Sequence, residues 1–383
     1  MKILYIATVL SHICQFHLPH MQQLQEQGWT VHVAAHDNLS EKNGLQLKHC
    51  DRLIETPFAR SPKSPDNFRA YRQLKKLLSE ERYDVILCNT PMGGVVARLA
   101  AKKARKLGTR VIYMAHGFHF YAGASKAAWL VYYPIEWYMA KYCDLLITIN
   151  QADFALAQKK FSGRTKLAHI HGIGVDETRY HPATAEEQLA MRQAEGLLAE
   201  DFVILCTGEL NENKNQKTLI SAAALLKGKI PKLKVLLAGN GPKEQELRAQ
   251  IRAEGLEGIV RLLGYRTDLE RVVPAVDLVV SCSKREGMPL NIIEAMLCKK
   301  PVVASHNRGH DELVEEEKSG LLVPPLDVQY IAEAVNYLKN NPETISRFGE
   351  EGFRAAQAYS ASSVCIELNK LINGTFYNSL EGL

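Results

Sequence analysis

The sequence predicts an α/β protein made of two doubly wound domains, each built around a parallel sheet. Three observations lead there. Short β-rich apolar runs alternate with helix-length segments from end to end. The series of runs restarts near residue 200, after a stretch with no strand character. The chain has 383 residues, too many for one ordinary core and comfortable for two.

The first series of strands is expected at residues 3–8, 30–35, 85–88, 110–114 and 145–148. The second is expected at 202–207, 234–238, 260–263, 278–281, 302–304 and 321–323. Most of these runs are continuously apolar, so both faces of each sheet should be covered by helices. Helical patterns fill the intervals, for example 67–81 and 243–254. The stretch 181–198 opens with His181-Pro-Ala-Thr-Ala-Glu-Glu and reads as a connector leading into a helix. The expected domains are therefore 1–180 and 181–360, joined near 175–200 and facing each other across a cleft. Ligands of such sheets bind at the carboxyl ends of the strands.

Hydrophobic residues make up 46% of the chain and charged residues 23%, which fits a soluble globular protein. The net charge of +5 is unevenly spread. Residues 1–185 hold 24 Lys/Arg against 14 Asp/Glu, and the remainder holds 23 against 28. A basic first half suits an anionic partner: nucleic acid, acidic lipid or a pyrophosphate-bearing acceptor. No nucleic-acid motif is present, so nucleic acid is not expected. The eight cysteines form no C-x-x-C pair, and Cys88, Cys206 and Cys282 sit in or beside apolar runs, as in a reducing compartment. The apolar start lacks a small-residue cleavage site and reads as a buried strand. No stretch reaches the roughly 20 apolar residues of a spanning helix. A cytoplasmic location follows, with association at the inner membrane surface left open. The aromatic stretch from Phe118 through Trp129, Tyr132, Tyr133, Trp137 and Tyr138 reads either as core or as a lipid-facing edge.

Three motifs carry chemistry. Glu286-Gly-Met-Pro-Leu-Asn-Ile-Ile-Glu294-Ala-Met follows the run at 278–281. Pro289 suits the first turn of a helix. Glu286 would then precede the helix and Glu294 lie more than a turn inside it. The free N–H groups near Met288, Leu290 and Asn291 would form an anion site. Carboxylates accept from sugar hydroxyls while amides cradle phosphates, so the pattern suits a sugar nucleotide. The second motif, Gly208-Glu209-Leu210-Asn211-Glu212-Asn213-Lys214-Asn215, follows the run at 202–207 and puts a lysine where it can reach a diphosphate. The third, Gly239-Asn240-Gly241-Pro242, follows the next run. Its glycines permit close approach of the backbone to a ligand, but the third glycine of the dinucleotide fingerprint is missing.

In this order and context the chain resembles the family 4 retaining glycosyltransferases of GT-B fold. The resemblance implies that Glu294 holds the ribose hydroxyls, Glu286 faces the donor sugar and Lys214 holds the diphosphate. It places the base near Gly264-Tyr265-Arg266. It makes His116, in Ala115-His116-Gly117-Phe118-His119, a catalytic group at a strand end close to the donor sugar. His12 and His17 fall on its acceptor side. It also implies that the last segment, 361–376, packs back on the first domain. One position departs from the pattern: Glu209 stands where the family often has arginine. The Gly-Glu-Leu-Asn sequence and Phe58-Ala-Arg-Ser-Pro resemble the branch that builds capsular or exopolysaccharide repeat units.

The implied activity is transfer of a hexosyl group, with retention, from a nucleotide diphosphate sugar (a UDP-sugar) to a glycan or polyprenyl-pyrophosphate-linked acceptor. A GT-B sugar-nucleotide 2-epimerase and a non-catalytic regulatory subunit are the alternatives. No cofactor or essential metal is expected. His116-x-x-His119 and His169-x-His171 lack any accompanying ligand pattern, and no Asp-x-Asp motif occurs.

Overall fold

A computed structural model describes residues 1–41 and 44–377. The chain divides into two compact units, one from Met1 to Gly174 together with the chain from Ala361, the other from Val175 to Ser360.

The first unit holds a parallel sheet of β1 (Lys2–Val9), β2 (Thr30–His36), β3 (Arg52–Glu55), β4 (Val85–Asn89), β5 (Arg110–Ala115), β6 (Leu145–Thr148) and β7 (Lys166–His169), in the order β3-β2-β1-β4-β5-β6-β7. β1 pairs with β2 on one side and with β4 on the other, Ile3 lying opposite Val31 and Val85. That is the point where strand order reverses, and a crevice opens there at the carboxyl ends. The two strands not expected from the sequence, β3 and β7, are the sheet edges. Only Ile54 of β3 is fully buried, and no residue of β7 is. An edge strand with one covered face carries no continuous apolar run to be read.

The second unit holds β8 (Phe202–Thr207), β9 (Leu233–Ala238), β10 (Val260–Gly264), β11 (Leu278–Ser281), β12 (Val302–Ser305) and β13 (Gly320–Val323), in the order β10-β9-β8-β11-β12-β13. All six lie where the apolar runs fall. The order reverses between β8 and β11, whose register sets Leu278 opposite Ile204. Helices pack both sheet faces, giving one apolar layer around Leu219, Leu237 and Val335 and another around Ile292, Met296 and Val279. The connector enters the helix Ala185–Ala194 through a capping box in which Thr184 and Glu187 satisfy each other's end groups.

The last helix, Ala361–Tyr377, packs on the helix Leu18–Glu26 of the first unit. Asn369 Oδ1 and His20 Nε2 lie 3.0 Å apart, and Glu367 bonds the His171 ring at 2.7 Å. All eight cysteines are free, and seven are buried. Among the described residues, no helix is long and apolar enough to cross a membrane.

Candidate functional site

In the second unit the motif residues gather at the reversal between β8 and β11. The loop after β8 turns on Asn211, whose Oδ1 accepts from the Asn213 and Lys214 amides at 3.0 and 2.9 Å. The loop after β11 is stitched to it, with Lys284 N donating to Asn213 O at 2.8 Å and Asn213 Nδ2 to Arg285 O at 3.0 Å. This brings the Lys214 ammonium to 2.7 Å from Glu286 Oε1, with both side chains largely covered.

Gly239 and Gly241 let two turns of the second unit pack closely. A Cβ on Gly239 would lie 2.0 Å from Gly208 O, and one on Gly241 would lie 2.4 Å from Leu210 O. The close approach they permit is to the lysine loop, which also donates a bond from Leu210 N to Asn240 O at 2.9 Å. Gly208 has φ 139°, and the Lys214 stem lies against the space its missing side chain leaves. These turns therefore fix the lysine before any ligand arrives.

The helix after β11 runs Leu290–Leu297. Pro289 is its cap, one residue earlier than the first-turn position expected, so Met288 precedes the helix and Leu290 and Asn291 open it. The Asn291 side-chain amide is buried without a hydrogen-bond partner. Glu294 keeps a little surface, yet burial of its carboxyl raises its pKa to about 7, against the opposing pull of the Tyr180 hydroxyl, Arg179 and Lys214. Tyr265 is half exposed, while both sides of the Arg266 guanidinium are taken by Glu195 and Asp268, each with bonds of 2.7 Å. Arg266 thus braces the loop after β10, on which Tyr265 is exposed.

Three residues around Glu286 went unread in the sequence. Arg308 Nε donates to Glu286 O at 3.3 Å. A Cβ on Gly309 would lie 2.9 Å from Glu286 Cβ, so glycine there lets the loop after β12 close on Glu286. His310 is fully buried, its Nδ1 2.5 Å from Ser305 O and its Nε2 without a partner. A Gly-His pair at the end of an apolar run was the available signal. Tyr180, likewise unread, sits in the connector and meets Glu294 only through the fold.

In the first unit His116 follows β5, and the structure joins it to both acceptor-side candidates. His12 Nε2 and His116 Nε2 are 3.2 Å apart, and the His17 ring centroid is 5.5 Å from each of the other two. Burial drives all three pKa values down, His12 to about 4. The rings are therefore neutral at physiological pH. Asn89 Oδ1 bonds His116 Nε2 at 3.0 Å, and His17 Nε2 is buried without a partner. Ring nitrogens of these three lie within 4.8 Å of one another, the one grouping among the described residues with the spacing to hold a metal ion. The His116-x-x-His119 and His169-x-His171 pairs make no such group: the His119 ring lies tilted 4.7 Å from that of Tyr132, and His171 bonds Glu367.

Beside the cluster lies a cavity of about 440 Å³ whose lining includes His12, Arg60, Thr90, His119 and Glu136. Thr90 has φ 62°, an uncommon conformation for a β-branched residue, and its Oγ1 bonds Thr8 N and Thr8 Oγ1 at 3.0 and 2.7 Å. The aromatic stretch divides: Phe118 and Phe120 are core, whereas Tyr132, Trp137 and Tyr138 are exposed.

Comparison with known proteins gives the family and the fold class. Residues 20–179 match the model of Glycosyltransferase Family 4, and residues 187–355 match that of Glycosyl transferases group 1. The chain is 40% identical over 369 residues to EpsD of Bacillus subtilis, itself assigned as a glycosyltransferase, covering 96% of this chain and 95% of that one. It is 29% identical over 265 residues to the UDP-Gal:alpha-D-GlcNAc-diphosphoundecaprenol alpha-1,3-galactosyltransferase of Escherichia coli, covering 68% of each. The crystal structure of Anabaena Alr3699/HepE in complex with UDP-glucose superposes with a TM-score of 0.76 at 25% identity, covering 99% of this chain and 100% of that one. The chain belongs to the family 4, group 1 glycosyltransferases, enzymes built here on two Rossmann-like parallel-sheet domains of GT-B class.

Proposed function

We propose that this glycosyltransferase moves a sugar, with retention of anomeric configuration, from a UDP donor to a lipid-linked glycan during surface polysaccharide synthesis. The observation that carries the donor half is the convergence of Lys214, Glu286 and Glu294 at the reversal point of the second sheet. The E. coli relative, whose name gives UDP-Gal and a diphosphoundecaprenol acceptor, and the UDP-glucose complex of the Anabaena protein support the substrate classes.

In this reading Glu294 accepts from the ribose hydroxyls. Lys214, with the amides of Met288, Leu290 and Asn291, takes the diphosphate. Gly208, Gly239, Asn240 and Gly241 hold the lysine loop in place, and Tyr265 stacks on the base with Arg266 behind it. Glu286 exchanges its bond to Lys214 for the donor sugar and supports the positive charge that develops at the anomeric carbon. His116 positions the same sugar, and His12 and His17 stand on the acceptor side. A retaining transfer then places nucleophile and leaving group on one face of an oxocarbenium-like species. Lys214 and the helix start supply the charge that a metal would otherwise supply, so the transfer step needs no divalent cation.

The test is a panel of nucleotide sugars offered with a polyprenyl-diphosphate-linked acceptor. Acceptor-dependent UDP release is expected, with NMR showing the donor's anomeric configuration in the product. UDP release independent of acceptor, or an inverted linkage, would overturn the reading.

A further inference from the structure

The helix Lys126–Ala140 carries its polarity reversed. Its only acidic residue, Glu136, is buried against the protein, bonded by Arg98 Nη2 at 2.9 Å and by the Tyr113 hydroxyl at 3.0 Å. Leu130, Val131 and Tyr138 are 78%, 53% and 47% exposed, and Ile135 and Trp137 are exposed beside them. At about 100° per residue these five fall on one side of the helix, with no charged residue among them.

Cations frame that side. Lys102 and Lys141 lie 3.9 and 4.0 Å from the ring centroids of Tyr142 and Tyr138, and Arg164 lies 3.0 Å from that of Trp137. Lys126 opens the helix and is exposed. Apolar side chains in the middle, with amphipathic rings and cations at the rim, are the composition of a helix lying in a membrane interface. An isologous contact with a second copy would set one cationic rim against the other.

We infer that this face rests on an anionic lipid bilayer, its apolar side chains at the headgroup boundary and its lysines and arginine on lipid phosphates. Val131, Tyr132 and Ile135 also line the 440 Å³ cavity with Arg60 and Glu136, so that cavity opens at the surface from which a lipid-linked acceptor would come. The inference rests on the reading of the acceptor given above.

Co-sedimentation of the full chain with phosphatidylglycerol/phosphatidylcholine vesicles tests it. The wild type should partition to these vesicles, less with pure phosphatidylcholine and less as salt rises. The double variant Leu130→Glu/Tyr138→Glu should bind anionic vesicles roughly tenfold or more weakly, since it places charge on the buried side of the interface. Its calorimetric UDP affinity should match the wild type, which shows that it folds. Equal vesicle binding by variant and wild type overturns the inference. So does a wild-type dimer that the variant disperses, which would make this face a protein contact. Absent UDP binding in both proteins would instead sink the donor reading and leave the vesicle result standing.

Discussion

Lys214 Nζ and Glu286 Oε1 lie 2.7 Å apart, so the two charged groups proposed to grip the donor's diphosphate and its sugar grip each other first. Donor binding must trade that bond for new ones. Glu286→Gln should release the lysine and tighten UDP binding a few-fold, while turnover falls by about 10²–10³ through loss of transition-state support. Lys214→Ala should weaken UDP binding by one to two decades, the worth of a charge-assisted phosphate contact of about 1.5–3 kcal/mol. Calorimetry on both variants decides: weaker UDP binding by Glu286→Gln would show that the pair is not in competition with the nucleotide.

Glu294 gives donor binding a pH dependence. Its carboxyl, raised to about 7 by burial, must be ionised to accept from two ribose hydroxyls. UDP affinity should rise from pH 6 to 8 and then level off. The stability effect runs the other way. The unfolded carboxyl ionises first as pH rises, so the folded protein is penalised above the ordinary carboxylate range, fully so above pH 7. Glu294→Gln should therefore melt higher than wild type at pH 8, with the gap closing toward pH 4. A flat UDP affinity profile would remove Glu294 from the ribose.

The histidine cluster should behave differently from a solvent-exposed imidazole. Burial holds His12, His17 and His116 neutral well below the usual histidine pKa, so kcat should stay level between pH 8 and 5.5 while KM for the donor climbs below 7 with Glu294. Their folded pKa values are depressed, so their contribution to stability is present above pH 6.5 and is lost as pH falls and the unfolded chain takes up protons. A kcat inflection near 6.5 would mean that His116 titrates in the working enzyme. His116→Ala should lower kcat by about 10²–10³ and leave UDP affinity unchanged.

Gly239→Ala tests the turn that braces the lysine loop. A Cβ there would sit 2.0 Å from Gly208 O, and φ is 147°. The loop must shift, so the variant should melt several degrees lower and bind UDP about tenfold more weakly. An unchanged UDP affinity would show that Lys214 does not depend on this packing.

Transfer in a single turnover should proceed at an undiminished rate in excess chelator. The readout is quenched-flow product formation with enzyme in excess over donor. Loss of the chemical step there would make a bound cation part of the mechanism and turn attention to His12, His17 and His116.

Much of this was legible in the chain itself. Apolar runs, most of them continuous, marked eleven strands, because a parallel strand covered on both faces needs such a run; β3 and β7, at the edges of the first sheet, carry none. The motif order put Lys214, Gly239, Glu286 and Glu294 at strand ends, since loops that follow parallel strands all emerge on one side of a sheet. What a residue meets there depends on which strands become neighbours, and the sequence does not state that. Pairing of β8 with β11 joined Lys214 to Glu286, 72 positions later. Adjacency of β1, β4 and β5 turned His12, Asn89 and His116 into one cluster. The same long-range packing committed Arg266 to Glu195, buried Glu136 on Arg98 and left Leu130 facing out. Local pattern determines which face of an element is apolar. Only the assembled layers decide which faces find cover, because burial is a property of neighbours that come from elsewhere in the chain.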